Sequence, residues 1–285
     1  MMPIPNTTAM KRPRITILPW IATFSFLALT GCFGHKKLTQ EASCQEKWDK
    51  IKVKFDKKRY ADVKEPLAEL VSSCPGSIFT EEALFDLGEV HFRLEEWIEA
   101  ETEFGSFLKD FPASKKYTEL VRWRMAEAAS KQVEPPNRDQ TKTLEAIQSY
   151  ETFLDEYSDS KYADTAKTQL DKLKDQLVTK QMQIAHLYRR MDEPLAAVIY
   201  YKNMLKVFGT RVNQRDVNLN LAECYIELNQ FDEAEVFLAK FDGIAKDDPF
   251  RDKIKKAYED LSKARRAVDR EKKEEKDLVK RQEPM

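Results

Sequence analysis

Glycine is scarce in this chain: 7 among 285 residues, with 12 prolines. All-β folds take their turns from clusters of glycine, asparagine and proline, and seven glycines cannot supply enough of them. No glycine-rich loop is present to cradle a phosphate. Histidine is scarcer still, limited to His35, His91 and His186, and neither these nor the four cysteines fall at zinc-binding spacing. No Ser/His/Asp set converges, so the expectation is a non-enzymatic protein with no catalytic residues, no metal and no cofactor. Excess positive charge is also missing. The formal net charge of −1 argues against a broad nucleic-acid surface, so no nucleic-acid partner is expected. What abounds is charge of both signs, 34% of residues, on a background of Ala, Leu, Glu and Lys. That is the composition of a helical protein.

The N-terminus carries an address. Lys11, Arg12 and Arg14 precede an uncharged, largely apolar stretch from Ile15 to Leu29, interrupted by Pro19. Fifteen residues at 1.5 Å rise fall short of the roughly 30 Å hydrocarbon core, so this is a signal segment and not a span. Leu29-Thr30-Gly31-Cys32 follows, and it resembles the lipobox of bacterial lipoproteins. The resemblance implies a signal peptide over 1–31, cleavage after Gly31, and a lipidated Cys32 heading a tether over 32–42. Three acyl chains exceed the two signals that stable anchoring needs. Phe33 after the cysteine favours sorting to the outer membrane, with the protein facing the periplasm. Loss of the three basic residues lowers the net charge from −1 to −4.

Cys44, Cys74 and Cys224 remain, in a compartment where disulfides persist. Cys44 opens one helix and Cys74 ends its antiparallel partner, which predicts a Cys44–Cys74 disulfide. Cys224 lies mid-helix on an apolar face and reads as a core residue.

Internal repeats set the architecture. Leu84, Leu87, Gly88, His91, Leu94, Trp97, Ala100, Phe104, Phe107, Leu108 and Pro112 follow the tetratricopeptide (TPR) pattern without a gap. Small residues sit where paired helices cross, and large ones fill the spaces between. The register recurs at second-helix positions 63, 100, 146, 197 and 234. The third copy is split by the loop from Gln132 to Thr143, and the fourth has a lengthened first helix. The fold class is therefore all-α, a TPR-like solenoid of about five hairpins over 43–242, with a capping helix over 249–269. The apolar stripe fades after Val268, and 270–285 is expected to be a polar, disordered tail.

Stacked hairpins offer the faces of their first helices to partners. At positions 5 and 12 of those helices stand Trp48 and Phe55, Phe85 and Phe92, and Trp123, an aromatic stripe confined to the N-terminal half. The corresponding C-terminal residues are Met182, Arg189, Leu219 and Ile226. The stripe has two readings: packing between hairpins, or a groove for an extended peptide bearing aromatic side chains.

The lipobox, the five hairpins and the split third repeat together resemble the BamD family, TPR lipoproteins of the β-barrel assembly (BAM) machinery. The most specific segment is Arg138-Asp139-Gln140-Thr141, followed by Ala146, Tyr150, Phe153 and Tyr157-Ser158-Asp159-Ser160-Lys161-Tyr162. Departures occur at Ser158 and Gly209, where the family usually has proline, and at Met191 and Tyr200, where it often has arginine. The resemblance implies a role in folding and inserting outer-membrane proteins. The implied partners are a periplasmic domain of BamA on the C-terminal repeats, other BAM lipoproteins, unfolded outer-membrane β-barrel clients, and the membrane through the lipid anchor. Alternatives are a pilus or secretin pilotin, or a regulator of a cell-wall synthase.

Overall fold

The computed structural model describes residues 32–245 and 247–282, with side-chain surroundings from residue 41 onward. The expected signal peptide, 1–31, and the side chain of Cys32 lie outside the described residues. Eleven α-helices follow one another, with no strand among the described residues. They are α1 (Cys32–Asp56), α2 (Tyr60–Ser73), α3 (Thr80–Arg93), α4 (Trp97–Asp110), α5 (Thr118–Lys131), α6 (Thr141–Glu156), α7 (Ala163–Arg190), α8 (Pro194–Phe208), α9 (Gln214–Glu227), α10 (Phe231–Leu238) and α11 (Arg251–Gln282). Each helix packs on the next, which makes five antiparallel hairpins closed by α11 against α9 and α10. The architecture is an all-α TPR-like solenoid.

Local chemistry explains the hairpins. Four of the five intra-hairpin turns hold one residue in the left-handed region: Lys58, Glu95, Asp192 and Asn229, with φ between 58° and 61°. Each lies two residues before a second helix. The residue after it donates its N–H back to the first helix, as Glu96 does to the His91 carbonyl at 3.0 Å and Gln230 to Tyr225 at 2.9 Å. These are Schellman closures. The third hairpin replaces the turn with the loop 132–140. Gln176 of α7 pins that loop by donating to the Glu134 carbonyl at 2.7 Å and to Gln140 Oε1 at 2.8 Å. Asp139 Oδ1 accepts from the Thr141 N–H at 2.9 Å. Thus the segment most specific to the family resemblance starts α6 and fastens the loop to α7.

Close crossings demand small residues. A Cβ on Gly88 would stand 2.5 Å from Cε1 of Phe104, and Ala100 is fully buried in the same hairpin. Apolar clusters run from one hairpin into the next, so no hairpin has a core of its own. Leu84 and Phe85 of the second hairpin share theirs with Tyr117 and Val121 of the third. At the N-terminal end the Cys44 and Cys74 sulfurs are bonded, with Cα atoms 6.1 Å apart. Cys224 is a free, fully buried thiol.

Two boundaries differ from expectation. The segment 32–42, expected as a tether, is helical from Cys32 and continues into α1. The segment expected to be disordered from 270 is helical to Gln282. Its Glu, Lys and Arg are strong helix formers. Lys273, Asp277 and Arg281 recur at i,i+4 spacing, so a helix nucleated by its packed half keeps propagating.

Candidate functional site

The aromatic stripe resolves into a repeated packing unit. Trp48 stacks on Phe79, Phe85 on Tyr117, and Trp123 on Tyr162, with ring centroids 5.9, 4.4 and 5.0 Å apart. Phe79, Tyr117 and Tyr162 are the cap residues of α3, α5 and α7, the first helices of the following hairpins. A serine two or three residues upstream holds each cap ring's backbone. Ser77 Oγ accepts from the Phe79 N–H at 3.3 Å, Ser114 Oγ from Tyr117 at 3.2 Å, and Ser160 Oγ from Tyr162 at 3.0 Å. Asp248 and Phe250 repeat the arrangement ahead of α11, at 2.8 Å. Position 5 of each N-terminal first helix therefore docks onto the cap of the next hairpin.

This corrects the expectation of an open groove at three of its five residues. Trp48, Phe85 and Trp123 are only 7%, 8% and 5% exposed, and they lie in the core. Phe55 and Phe92 are half-buried. Each has a cation over its ring: Lys52 Nζ lies 4.8 Å from the Phe55 centroid, and Arg124 Cζ lies 4.7 Å from that of Phe92. The signal missed in the sequence is a serine two or three residues ahead of an aromatic at the start of α3, α5 and α7, which supplies the partner for Trp48, Phe85 and Trp123.

Ion pairs lace the same face. Lys52 of α1 reaches Asp86 at 3.1 Å and Glu82 at 3.3 Å on α3, and Glu82 meets Lys116 at 3.1 Å. Arg124 of α5 meets Glu89 at 2.5 Å and Glu127 at 2.6 Å. Burial raises the Asp86 carboxyl to about 6 against the pull of Lys52. For Lys52, Asp86 and Glu82 outweigh burial and raise its pKa. The N-terminal first-helix face is thus filled with rings and crossed by paired charges.

The C-terminal half is built differently. Arg189 of α7 donates to Asn220 at 2.8 Å, Glu223 at 2.7 Å and Glu227 at 2.9 Å, all on α9. Open clefts border α7 on both sides. One of about 710 Å³ lies between the 132–140 loop, α7 and α8, over Leu144, Leu177, Ile184 and Val207. Another, of about 510 Å³, lies between α7, α9 and α11, lined by Met182, His186, Leu219, Lys253 and Lys256. Burial and the neighbouring Arg189 and Arg190 hold the His186 imidazole below its ordinary pKa. Tyr200, where the family often has arginine, stacks on Tyr188 at 5.3 Å. Among the described residues, no group of three or more His, Cys, Asp or Glu gathers as a metal site, and no helix is long and apolar enough to cross a membrane.

Comparison with known proteins matches the chain to one family. The family model YfiO, outer membrane lipoprotein, matches residues 40–237. The outer membrane protein assembly factor BamD of Caulobacter vibrioides is 22% identical over 79% of this chain and 73% of its own. That of Rickettsia prowazekii is 23% identical over 74% of this chain and 84% of its own. Among solved structures, a tetratricopeptide repeat protein from Parabacteroides merdae aligns over 84% of this chain and 97% of its own at 16% identity, with a TM-score of 0.36.

Proposed function

The chain belongs to the BamD family of outer membrane lipoproteins, and from that membership we propose that it is an assembly factor for outer-membrane β-barrel proteins, held to the outer membrane by a lipidated Cys32 and facing the periplasm. It works as a scaffold. Its partners are a periplasmic domain of BamA, other BAM lipoproteins and unfolded β-barrel clients.

The observation that carries this reading is the extent of the family match, which spans all five hairpins. The architecture agrees with it. A solenoid whose hairpins share their cores behaves as one stiff body, able to hold partners at fixed spacing. The half-exposed rims of Phe55 and Phe92 are what the aromatic stripe leaves open to a client segment.

Affinity purification of the tagged full chain from detergent-solubilised membranes tests the role. BamA is the expected co-purifying protein; a secretin or a peptidoglycan synthase in its place overturns the reading. Fractionation tests the anchor: wild type partitions with the outer membrane and a Cys32→Ala chain with the soluble periplasm. Equal partitioning of the two would refute lipid attachment at that residue.

A further inference from the structure

Covalent, polar and aromatic ties converge on one end of the first hairpin, within residues 41–48 of α1. The Cys44 sulfur is bonded to Cys74, the cap residue at the end of α2. Glu41 Oε1 accepts from Ser77 Oγ at 2.8 Å and from the Ile78 N–H at 3.4 Å. Lys47 Nζ meets Glu69 of α2 at 2.7 Å, and the Trp48 ring stacks on Phe79 at 5.9 Å. The loop 74–79 is therefore held against this part of α1, while the turn 57–59 lies at the opposite end of the hairpin.

α1 does not stop at these ties. It runs back unbroken to Cys32, with no proline in its 25 residues. A helix nucleated in its packed part propagates outward, gaining one hydrogen bond for each residue fixed. At 1.5 Å per residue, Glu41 stands about 14 Å along the axis from Cys32 and Asp56 about 36 Å. The apolar stripe of α1, formed by Cys44, Trp48, Ile51 and Phe55, is turned to the hairpin core. Its solvent side is mixed in sign: Glu46, Asp49, Lys50, Lys54 and Asp56 are exposed, and Glu46 pairs with Lys50 at 2.6 Å. Over 41–56 the lysines 47, 50, 52 and 54 are balanced by Glu41, Glu46, Asp49 and Asp56. A helix lies in the plane of a lipid surface when it offers an apolar face or an excess of cations, and this part of α1 offers neither.

We propose that α1 is a rigid mount that stands the first hairpin on the lipid surface, with the loop 74–79 facing the membrane and the turn 57–59 pointing away from it. The mount depends on lipid attachment at Cys32, as the assembly role does. The disulfide stiffens it by fixing α1 to α2 at the end nearer the anchor. The tilt of the anchored helix is then passed to the stack and not absorbed by a swivel between the two helices. Ile78, 80% exposed, projects from the membrane-facing loop. The stack of Phe85 on Tyr117 joins the second hairpin to the third, as that of Trp48 on Phe79 joins the first to the second, so the orientation carries onward.

Energy transfer to the membrane tests the pose. The full lipidated chain is reconstituted on phosphatidylethanolamine–phosphatidylglycerol vesicles with rhodamine on the lipid headgroups. A donor dye is attached through a bioorthogonal residue at position 57 or 78, both exposed. Transfer from 78 is expected to exceed transfer from 57 by about twofold or more, because roughly 20 Å of helix separates their heights. A flexible Gly/Ser segment inserted between Gln40 and Glu41 should make the two transfers alike, with the melting temperature unchanged. A Cys44→Ser/Cys74→Ser chain should fall between these results. Equal transfer from the two positions in the uninserted chain, as when Lys57, Lys58 and Arg59 draw α1 flat onto the lipid, would overturn the mount. So would a difference that survives the Gly/Ser insertion. Failure of the lipid attachment itself is read separately, in the Cys32→Ala fractionation.

Discussion

Trp123 lies flat on Tyr162, ring centroids 5.0 Å apart and planes 7° from parallel. One ring belongs to α5 and the other caps α7, so the pair joins the third hairpin to the fourth. Tyr150 and Phe153 of α6 hold Trp123 from the sides, at 6.0 and 5.6 Å. Replacing the indole empties a junction that no other contact spans in the same way. Trp123→Ala is expected to cost about 3–5 kcal/mol. A double-mutant cycle with Tyr162→Ala should return a coupling of about 0.5–1.5 kcal/mol. Additive effects in urea denaturation would mean that the stack adds nothing beyond buried area.

The crossing of α3 and α4 allows a sharper test. A methyl at position 88 meets the Phe104 ring at 2.5 Å, and that ring is fully buried with nowhere to go. Gly88→Ala should therefore destabilise the chain by about 1–3 kcal/mol, although alanine is the better helix former. Phe104→Leu in the same chain should recover part of the loss. If Gly88→Ala melts at or above the wild-type temperature, the two helices are not held that closely.

The disulfide tethers α1 to the far end of α2, its cysteines 30 positions apart in sequence. A loop of that length corresponds to about 3–4 kcal/mol from restricting the unfolded chain. Reduction, or a Cys44→Ser/Cys74→Ser chain, should lower the unfolding midpoint accordingly. Hydrogen exchange should show the loss concentrated in α1 and α2. Unchanged protection in the first hairpin after reduction would contradict this.

Asp86 makes stability depend on pH. Burial raises its carboxyl to about 6 from an ordinary 3.8, so the folded chain holds that proton more tightly than the unfolded chain does. Its contribution is complete below the unfolded value and is lost as pH climbs through about 6. Carboxylates with depressed values, such as Glu82 and Asp248, act in the opposite direction at lower pH. The informative quantity is therefore a difference. Between pH 4 and 7.5, wild type should lose roughly 1–3 kcal/mol relative to Asp86→Asn, measured as urea midpoints. Parallel profiles for the two chains would remove Asp86 as the source.

Much of the fold was legible because its determinants are local or nearly so. Gly88 and Ala100 mark a close crossing, Pro112 marks a stop, and the same register recurs at 63, 100, 146, 197 and 234. The Cys44–Cys74 pairing followed from the hairpin, although α1 starts at Cys32 and Cys44 therefore lies within the helix and does not open it. The face of the solenoid was harder to read. Position-5 rings suit a binding groove and a packed junction equally well, and only the following hairpin decides between them. Phe79, Tyr117 and Tyr162 arrive from 31, 32 and 39 residues downstream of Trp48, Phe85 and Trp123 and cover those rings.

The amino-acid order alone determined that the chain is helical, where most helices turn, and that the hairpins repeat, because periodicity, turn conformation and small-residue spacing act over a few residues. It also carried the lipobox and the segment Arg138–Thr141. Tertiary structure decided which aromatic faces are covered, which charges find partners, and how far α11 continues. Those outcomes depend on which hairpin packs next.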